Sequence, residues 1–279
     1  MAKIQVVTDS ASDLPDDLAS SLGIVVVPLS VRFGEEEFTD RQDLTPAEFW
    51  AKCKSSKVLP ESAAPSPGAF QQAFENAARD GFDGVLVVAL SSKLSATHQA
   101  ATLGAAEVSS QIPVQIIDSM AVTMGEGLLA IELAERAAAG ATLDELTTLG
   151  NELVGRIGVV GTIDTLEHLI KGGRLTGAKA LLGSMLSIKP LLDLKDGLVV
   201  EGGRQRTRTK AIAAIVASAE AASPLRRLAL VHGNAADVEV ARAALAGVKV
   251  EFPLIVTDMG SVVGTHGGPG IIAICWLRA

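Results

Sequence analysis

Three short apolar runs each end in residues that can donate hydrogen bonds to an anion. Ile4-Gln5-Val6-Val7 leads into Thr8-Asp9-Ser10-Ala11-Ser12-Asp13, and Val85-Leu86-Val87-Val88 leads into Ser91-Ser92-Lys93-Leu94-Ser95-Ala96-Thr97. Val114-Gln115-Ile116-Ile117 leads into Asp118-Ser119. Hydroxyls and small residues at a strand-to-helix turn leave O–H and backbone N–H donors facing one spot, which suits a carboxylate or a phosphate. Taken singly, Ser10, Ser95, Thr97 or Ser119 reads as an ordinary helix cap. Three such ends together point to an anion-binding crevice.

Further donors lie elsewhere. Ser62 precedes a helix started by Ser66-Pro67 but lies outside it, so helix capping does not account for it. Lys171-Gly172-Gly173-Arg174-Leu175-Thr176-Gly177 turns the chain sharply and exposes a guanidinium, the group best shaped for planar capture of a carboxylate or phosphate. Gly264-Thr265-His266-Gly267-Gly268-Pro269-Gly270 reads as a glycine-rich loop but lacks the ending of a nucleotide-binding one. Its glycines permit close backbone approach around Thr265 and His266, and the imidazole can hydrogen-bond a carboxylate and, as the cation, neutralise it. The basic stretch Arg204-Gln205-Arg206-Thr207-Arg208-Thr209-Lys210 suits an anionic partner or phosphate. No metal-ligand spacing of histidines and no nucleophile elbow occurs.

The elements that must hold these residues alternate. Helical periodicity over Pro67–Arg79, Lys93–Ser110, Val122–Ala139 and Thr142–Gly155 separates the three β-branched runs, which implies a mostly parallel sheet covered on both faces. Beyond Gly155 the pattern predicts strands over Gly158–Ile163, Ser187–Leu194, Leu198–Glu201, Leu228–Val231, Val248–Val256 and Ile271–Leu277. Helices are expected over Arg206–Ala222 and Asp237–Ala246. The expected fold is therefore α/β in two domains, an N-terminal parallel-sheet domain (residues 1–155) and a C-terminal α/β domain (residues 156–279). Open parallel sheets bind ligands beyond the carboxyl ends of their strands, where these hydroxyls lie.

Composition narrows the ligand. The 279 residues carry a net charge of −8, so a nucleic acid is not the expected partner. Aromatic residues make up only 3%, with no tyrosine, so core and ligand contacts must be mostly aliphatic. Cys53 and Cys275 form no CxxC pair, and no transmembrane run or signal-peptide core is present, so a cytoplasmic protein without cofactor or metal is expected.

Together these segments resemble the DegV family of bacterial fatty-acid-binding proteins. The resemblance runs in order through Thr8-Asp9-Ser10, Pro65-Ser66-Pro67, Ser91-Ser92-Lys93-Leu94-Ser95, Asp118-Ser119, Lys171-Gly172-Gly173-Arg174, Ile188-Lys189-Pro190, Asp196-Gly197, Arg206-Thr207 and Gly264–Gly270. It implies a long-chain, palmitate-like fatty acid buried between the domains, its carboxylate held by Ser62, Ser95 and His266. It also implies that Arg174 stands at the mouth, where a partner acyl kinase would make an acyl phosphate for phospholipid synthesis. The family's usual Thr-Ser pair is here Ser62-Ala63, and its Leu-Ser-Gly-Thr is Leu94-Ser95-Ala96-Thr97, where the added methyl would crowd the backbone. Two other readings stay open: an enzyme of phosphoryl or acyl transfer using Asp9, Ser10, Ser95 and His266, or a regulatory module with a structural ligand.

Overall fold

The computed structural model describes residues 2–175 and 188–279. The first half runs β1 (Ile4–Asp9), α1 (Asp16–Ser21), β2 (Val25–Val27), β3 (Ser30–Phe33), β4 (Glu36–Thr39), α2 (Pro46–Ser55), β5 (Glu61–Ala63), α3 (Pro67–Arg79), β6 (Gly84–Ala89), α4 (Thr97–Glu107), β7 (Val114–Asp118), α5 (Met124–Ala138) and α6 (Leu143–Val154). It continues through β8 (Ile157–Thr162), α7 (Glu167–Lys171), β9 (Lys189–Lys195), β10 (Leu198–Gln205), α8 (Arg208–Ala221), β11 (Leu225–His232), α9 (Val238–Leu245), β12 (Ile255–Asp258), α10 (Ser261–Gly267) and β13 (Ile272–Arg278).

β1 and β6 are buried at every position because helices cover both faces of their sheet. That sheet is parallel throughout, in the order β2-β1-β6-β7. α3 and α4 pack on its outer face around Phe70 and Phe74. The second sheet has the order β10-β9-β8-β13-β11-β12 and is antiparallel except for the β11–β12 pair. α8 and α9 cover its outer side. The protein is thus mixed α/β, with a parallel-sheet N-terminal part and a second sheet.

α5 lies between the two sheets. Its residues from Met124 to Ala134 are buried all round, as a helix packed on both sides must be. It meets β1 and β6 on one side and β8, β11 and β13 on the other. Glu132 on this helix accepts from Arg226 Nε at 2.8 Å and Arg227 Nε at 3.1 Å, both from β11. Burial alone would raise the Glu132 carboxyl, but these two arginines hold it below the usual carboxylate range.

Three expectations need correction. Val248–Val256 is not one strand: residues 251 and 252 donate to Leu225 and Arg226, then Pro253, which has no N–H, breaks the run before β12. The glycine-rich stretch from Gly264 is not a loop, because α10 extends to Gly267 through Gly264 N→Gly260 O and Gly268 N→Gly264 O. A third, antiparallel sheet, β4-β3-β5, arises from a segment with no expected element. Thr176, Gly177 and Ser187 lie outside the described residues.

Glu132→Ala should lower unfolding free energy by roughly 3 kcal/mol, because it leaves the buried Arg227 short of a partner. Urea denaturation measures this, and a change under 1 kcal/mol would show that the ion pair does not join α5 to the second sheet.

Candidate functional site

A cavity of about 900 Å³, counted to its open mouth, lies between the carboxyl ends of the first sheet and the inner face of the second. Ala11, Leu90, Leu94 and Val122 come from just beyond β1, β6 and β7. Val159, Gly161, Leu192, Leu194 and Ala273 come from β8, β9 and β13. Leu29, Met259, Val262 and Ile271 complete a wall that is almost wholly aliphatic.

Six polar residues interrupt this wall, Ser62, Ser95, Thr123, Arg174, Asp193 and His266, and three of them gather at one end: Ser62, Arg174 and His266. Ser62 stands on β5, held by β3 through the Val31↔Ser62 pairing. His266 sits in the last turn of α10, and its Nε2 lies 2.8 Å from Ser62 Oγ. Arg174 follows the left-handed Gly173 (φ 66°) and donates through Nε to Leu94 O at 3.2 Å, which brings it beside Ser95. A second, polar hollow shares Ser62, Arg174 and His266 and adds Glu61, His168, Lys171 and Thr265. These three residues therefore stand where an apolar cavity meets a polar mouth.

His266 is not the expected cation. Burial, then the charge of Arg174 and the neighbouring His168, push its pKa down to about 4. Its Nδ1 has no hydrogen-bond partner among the described residues and abuts Gly172, where a Cβ would come within 2.2 Å. The positive charge beside the site belongs to Arg174.

The remaining sequence-derived candidates do not line the cavity. Ser10 Oγ accepts from Leu29 N at 3.1 Å, and Ser119 Oγ accepts from Ala121 N at 3.1 Å, so both hydroxyls serve buried turns. Thr97 is buried and its Oγ1 lies 2.9 Å from Ser95 Oγ, which holds the Ser95 side chain from behind. Thr265 donates to Ser261 O at 2.7 Å within α10, and its carbonyl accepts from His168 Nδ1 at 3.0 Å. Ala63 and Ala96 are exposed, and Ala96 has φ −78° and ψ 4°, a conformation open to any residue. Arg208 of the basic stretch pairs with Asp237 and donates to Gly270 O, a structural use.

Composition indicated aliphatic ligand contacts but not which residues form the wall, since they carry no motif, and sequence reasoning missed the roles of His168 and Lys171. It also missed a buried polar cluster behind the cavity. Asp9, Asp13, Asp40 and Glu126 are all buried there, and burial raises every one of these carboxyls, Asp9 to about 6 and Asp13 to about 7.

The sequence profile of the family described as "Uncharacterised protein, DegV family" matches residues 3–279. This chain belongs to the DegV family. A DegV domain-containing protein of Listeria monocytogenes is 36% identical over 280 residues, 98% of each chain. A DegV-family protein of Thermus thermophilus, described by its fatty-acid binding, superposes with a TM-score of 0.91 at 33% identity, over 99% of this chain and 100% of that one. DegV of Bacillus subtilis, described as a fatty acid binding protein, gives a TM-score of 0.88 at 30% identity over 99% of each chain. No described helix is long and apolar enough to cross a membrane.

The cause of the low His266 pKa is testable. Arg174→Ala should move the midpoint upward from about 4, while burial keeps it below the ordinary 6.5. Titration of the ring by NMR reads this directly, and an unmoved midpoint would remove Arg174 from the electrostatics of the site.

Proposed function

We propose that this chain binds one long-chain fatty acid in the aliphatic cavity and presents its carboxylate at the polar mouth to a partner acyl kinase. The observation that carries this reading is an apolar cavity that ends on a Ser–His hydrogen bond beside an arginine. An alkyl chain gains roughly 0.8 kcal/mol for each buried CH₂. A carboxylate buried with it is tolerated only when hydrogen-bonded or neutralised.

A neutral His266 with Nε2–H donating to Ser62 Oγ leaves the Ser62 hydroxyl hydrogen free to point at a carboxylate oxygen. Ser95 supplies a second hydroxyl, and Arg174 supplies charge from the solvent side. Residues 1–155 thus contribute the serines, and residues 156–279 contribute the imidazole and guanidinium. Arg174 and Lys171 flank the polar hollow, where the oxygen to be phosphorylated would be reached. The fatty-acid binding described for the Thermus thermophilus and Bacillus subtilis proteins supports the ligand class. We place this binding in the cytoplasm, where an acyl phosphate would feed phospholipid synthesis.

The alternative is an enzyme of phosphoryl or acyl transfer; of the crevice residues Asp9, Ser10, Ser95 and His266, only Ser95 and His266 line the cavity, and the serine paired with His266 is Ser62. Two observations weigh against it. The His266 Nδ1 meets no carboxylate among the described residues, unlike the oriented base of a catalytic triad, and a pKa of about 4 makes a weak base.

Delipidated protein titrated with palmitate separates the roles. Ser62→Ala should weaken binding about tenfold or more, the cost of one hydrogen bond to a charged group, and His266→Ala should weaken it in the same direction by releasing the Ser62 hydroxyl that it orients. Arg174→Ala should keep palmitate affinity within about threefold while losing phosphoryl transfer by an added acyl kinase. Equal loss of palmitate affinity in Arg174→Ala would contradict the division between holding and presenting.

A further inference from the structure

The helix that carries His266 is tied at both ends to one small sheet. Its last turn is held by the hydrogen bond between His266 and Ser62 on β5. Its first turn is held by Asp40, the residue after β4. Asp40 Oδ1 accepts from Ser261 Oγ at 2.5 Å and from Ser261 N at 3.4 Å. β3 pairs with β4 through Ser30↔Thr39 and with β5 through Val31↔Ser62, so Asp40 and Ser62 flank the same central strand.

A second carboxylate reaches the same helix end. Asp13 Oδ1 accepts from Gly260 N at 2.8 Å, and its Oδ2 accepts from Thr123 Oγ1 at 2.6 Å. Thr257 Oγ1 donates to the Asp13 carbonyl at 3.3 Å. Trp50 Nε1 donates to Met259 O at 3.1 Å, and a Cβ on Gly264 would come within 2.9 Å of Phe49 and Trp50, so the middle of α10 is seated on α2. A seven-residue helix does not hold itself, and the N–H groups of its first turn need outside acceptors. Both acceptors here are fully buried and come from the other half of the chain.

We propose that Asp13 and Asp40 are positioning residues for the head-group site: by holding Gly260 and Ser261 they set where α10 delivers His266 over Ser62. From Ser261 to His266 is five residues, about 7.5 Å at 1.5 Å per residue, so a shift at the first turn is carried directly to the imidazole. The proposal rests on reading Ser62 and His266 as the carboxylate site. It leaves Glu126 out. Glu126 is equally buried in the same polar cluster and accepts from Thr8 Oγ1 at 2.7 Å, but it has no hydrogen bond to α10 among the described residues.

The experiment compares Asp13→Asn, Asp40→Asn and Ser261→Ala with Glu126→Gln, reading the His266 ring signals by NMR and palmitate affinity by titration. The first three should move the His266 signals and weaken palmitate binding at least about tenfold, about 1.4 kcal/mol. Glu126→Gln should shift the thermal midpoint and leave both readouts at wild type. If an aspartate variant does not fold, Ser261→Ala carries the test, since it deletes one hydroxyl from the other side of the contact. Wild-type His266 signals in folded Asp40→Asn and Ser261→Ala would overturn the proposal. So would an equal effect of Glu126→Gln, which would indicate general loosening. Should the wild-type protein take up no fatty acid, the binding reading fails on its own, and the ring signals still decide the positioning.

Discussion

The hydrogen bond between Ser62 and His266 spans 204 positions of sequence and stands where the aliphatic cavity meets the polar mouth. A buried carboxylate needs donors, and an aliphatic wall has none to offer. In the proposed reading those donors come from one strand of the small sheet set against one helix of the second half. Each part is otherwise unsuited to the task. β5 is three residues long, and α10 is seven. Their precision comes from what surrounds them: the pairing of β5 with β3, and the seating of α10 on Phe49, Trp50, Asp13 and Asp40.

The sandwiching of α5 makes that arrangement possible. A helix buried on both sides fixes the spacing between the two sheets, and the cavity occupies the space beyond its N-terminal end, at Val122 and Thr123. Glu132 locks its middle to Arg226 and Arg227 on β11. The first sheet can then offer its strand ends, and the second its inner face, to the same cavity. Of the proposed donors only Ser95 follows a strand of the parallel sheet; Ser62 comes from β5 of the small sheet, His266 from α10 and Arg174 from the turn after α7.

Much of this was legible from residue types, and some was not. The β-branched runs at Ile4, Val85 and Val114 marked the parallel strands, because a strand buried on both faces needs continuous apolar residues. The small sheet was hidden, since Glu35, Glu36 and Glu37 interrupt any apolar pattern and Ser62 lies in a strand too short to show periodicity. Four glycines disguised α10 as a loop. Gly264 is there because Phe49 and Trp50 leave no room for a side chain, which is a tertiary fact invisible in sequence. Ser10 and Ser119 have the right chemistry, but backbone groups nearby claim their hydroxyls first. His266 was singled out in sequence and lines the cavity, but as a possible cation, whereas burial and Arg174 oppose protonation in a way that spacing along the chain cannot reveal. The aliphatic wall, from Leu29 to Ala273, consists of residues that look like any core.

The most direct test of the central claim is mass spectrometry of an organic extract from protein purified without unfolding. The account predicts close to one long-chain fatty acid per chain. An empty extract, from protein that also fails to take up added palmitate, would contradict it.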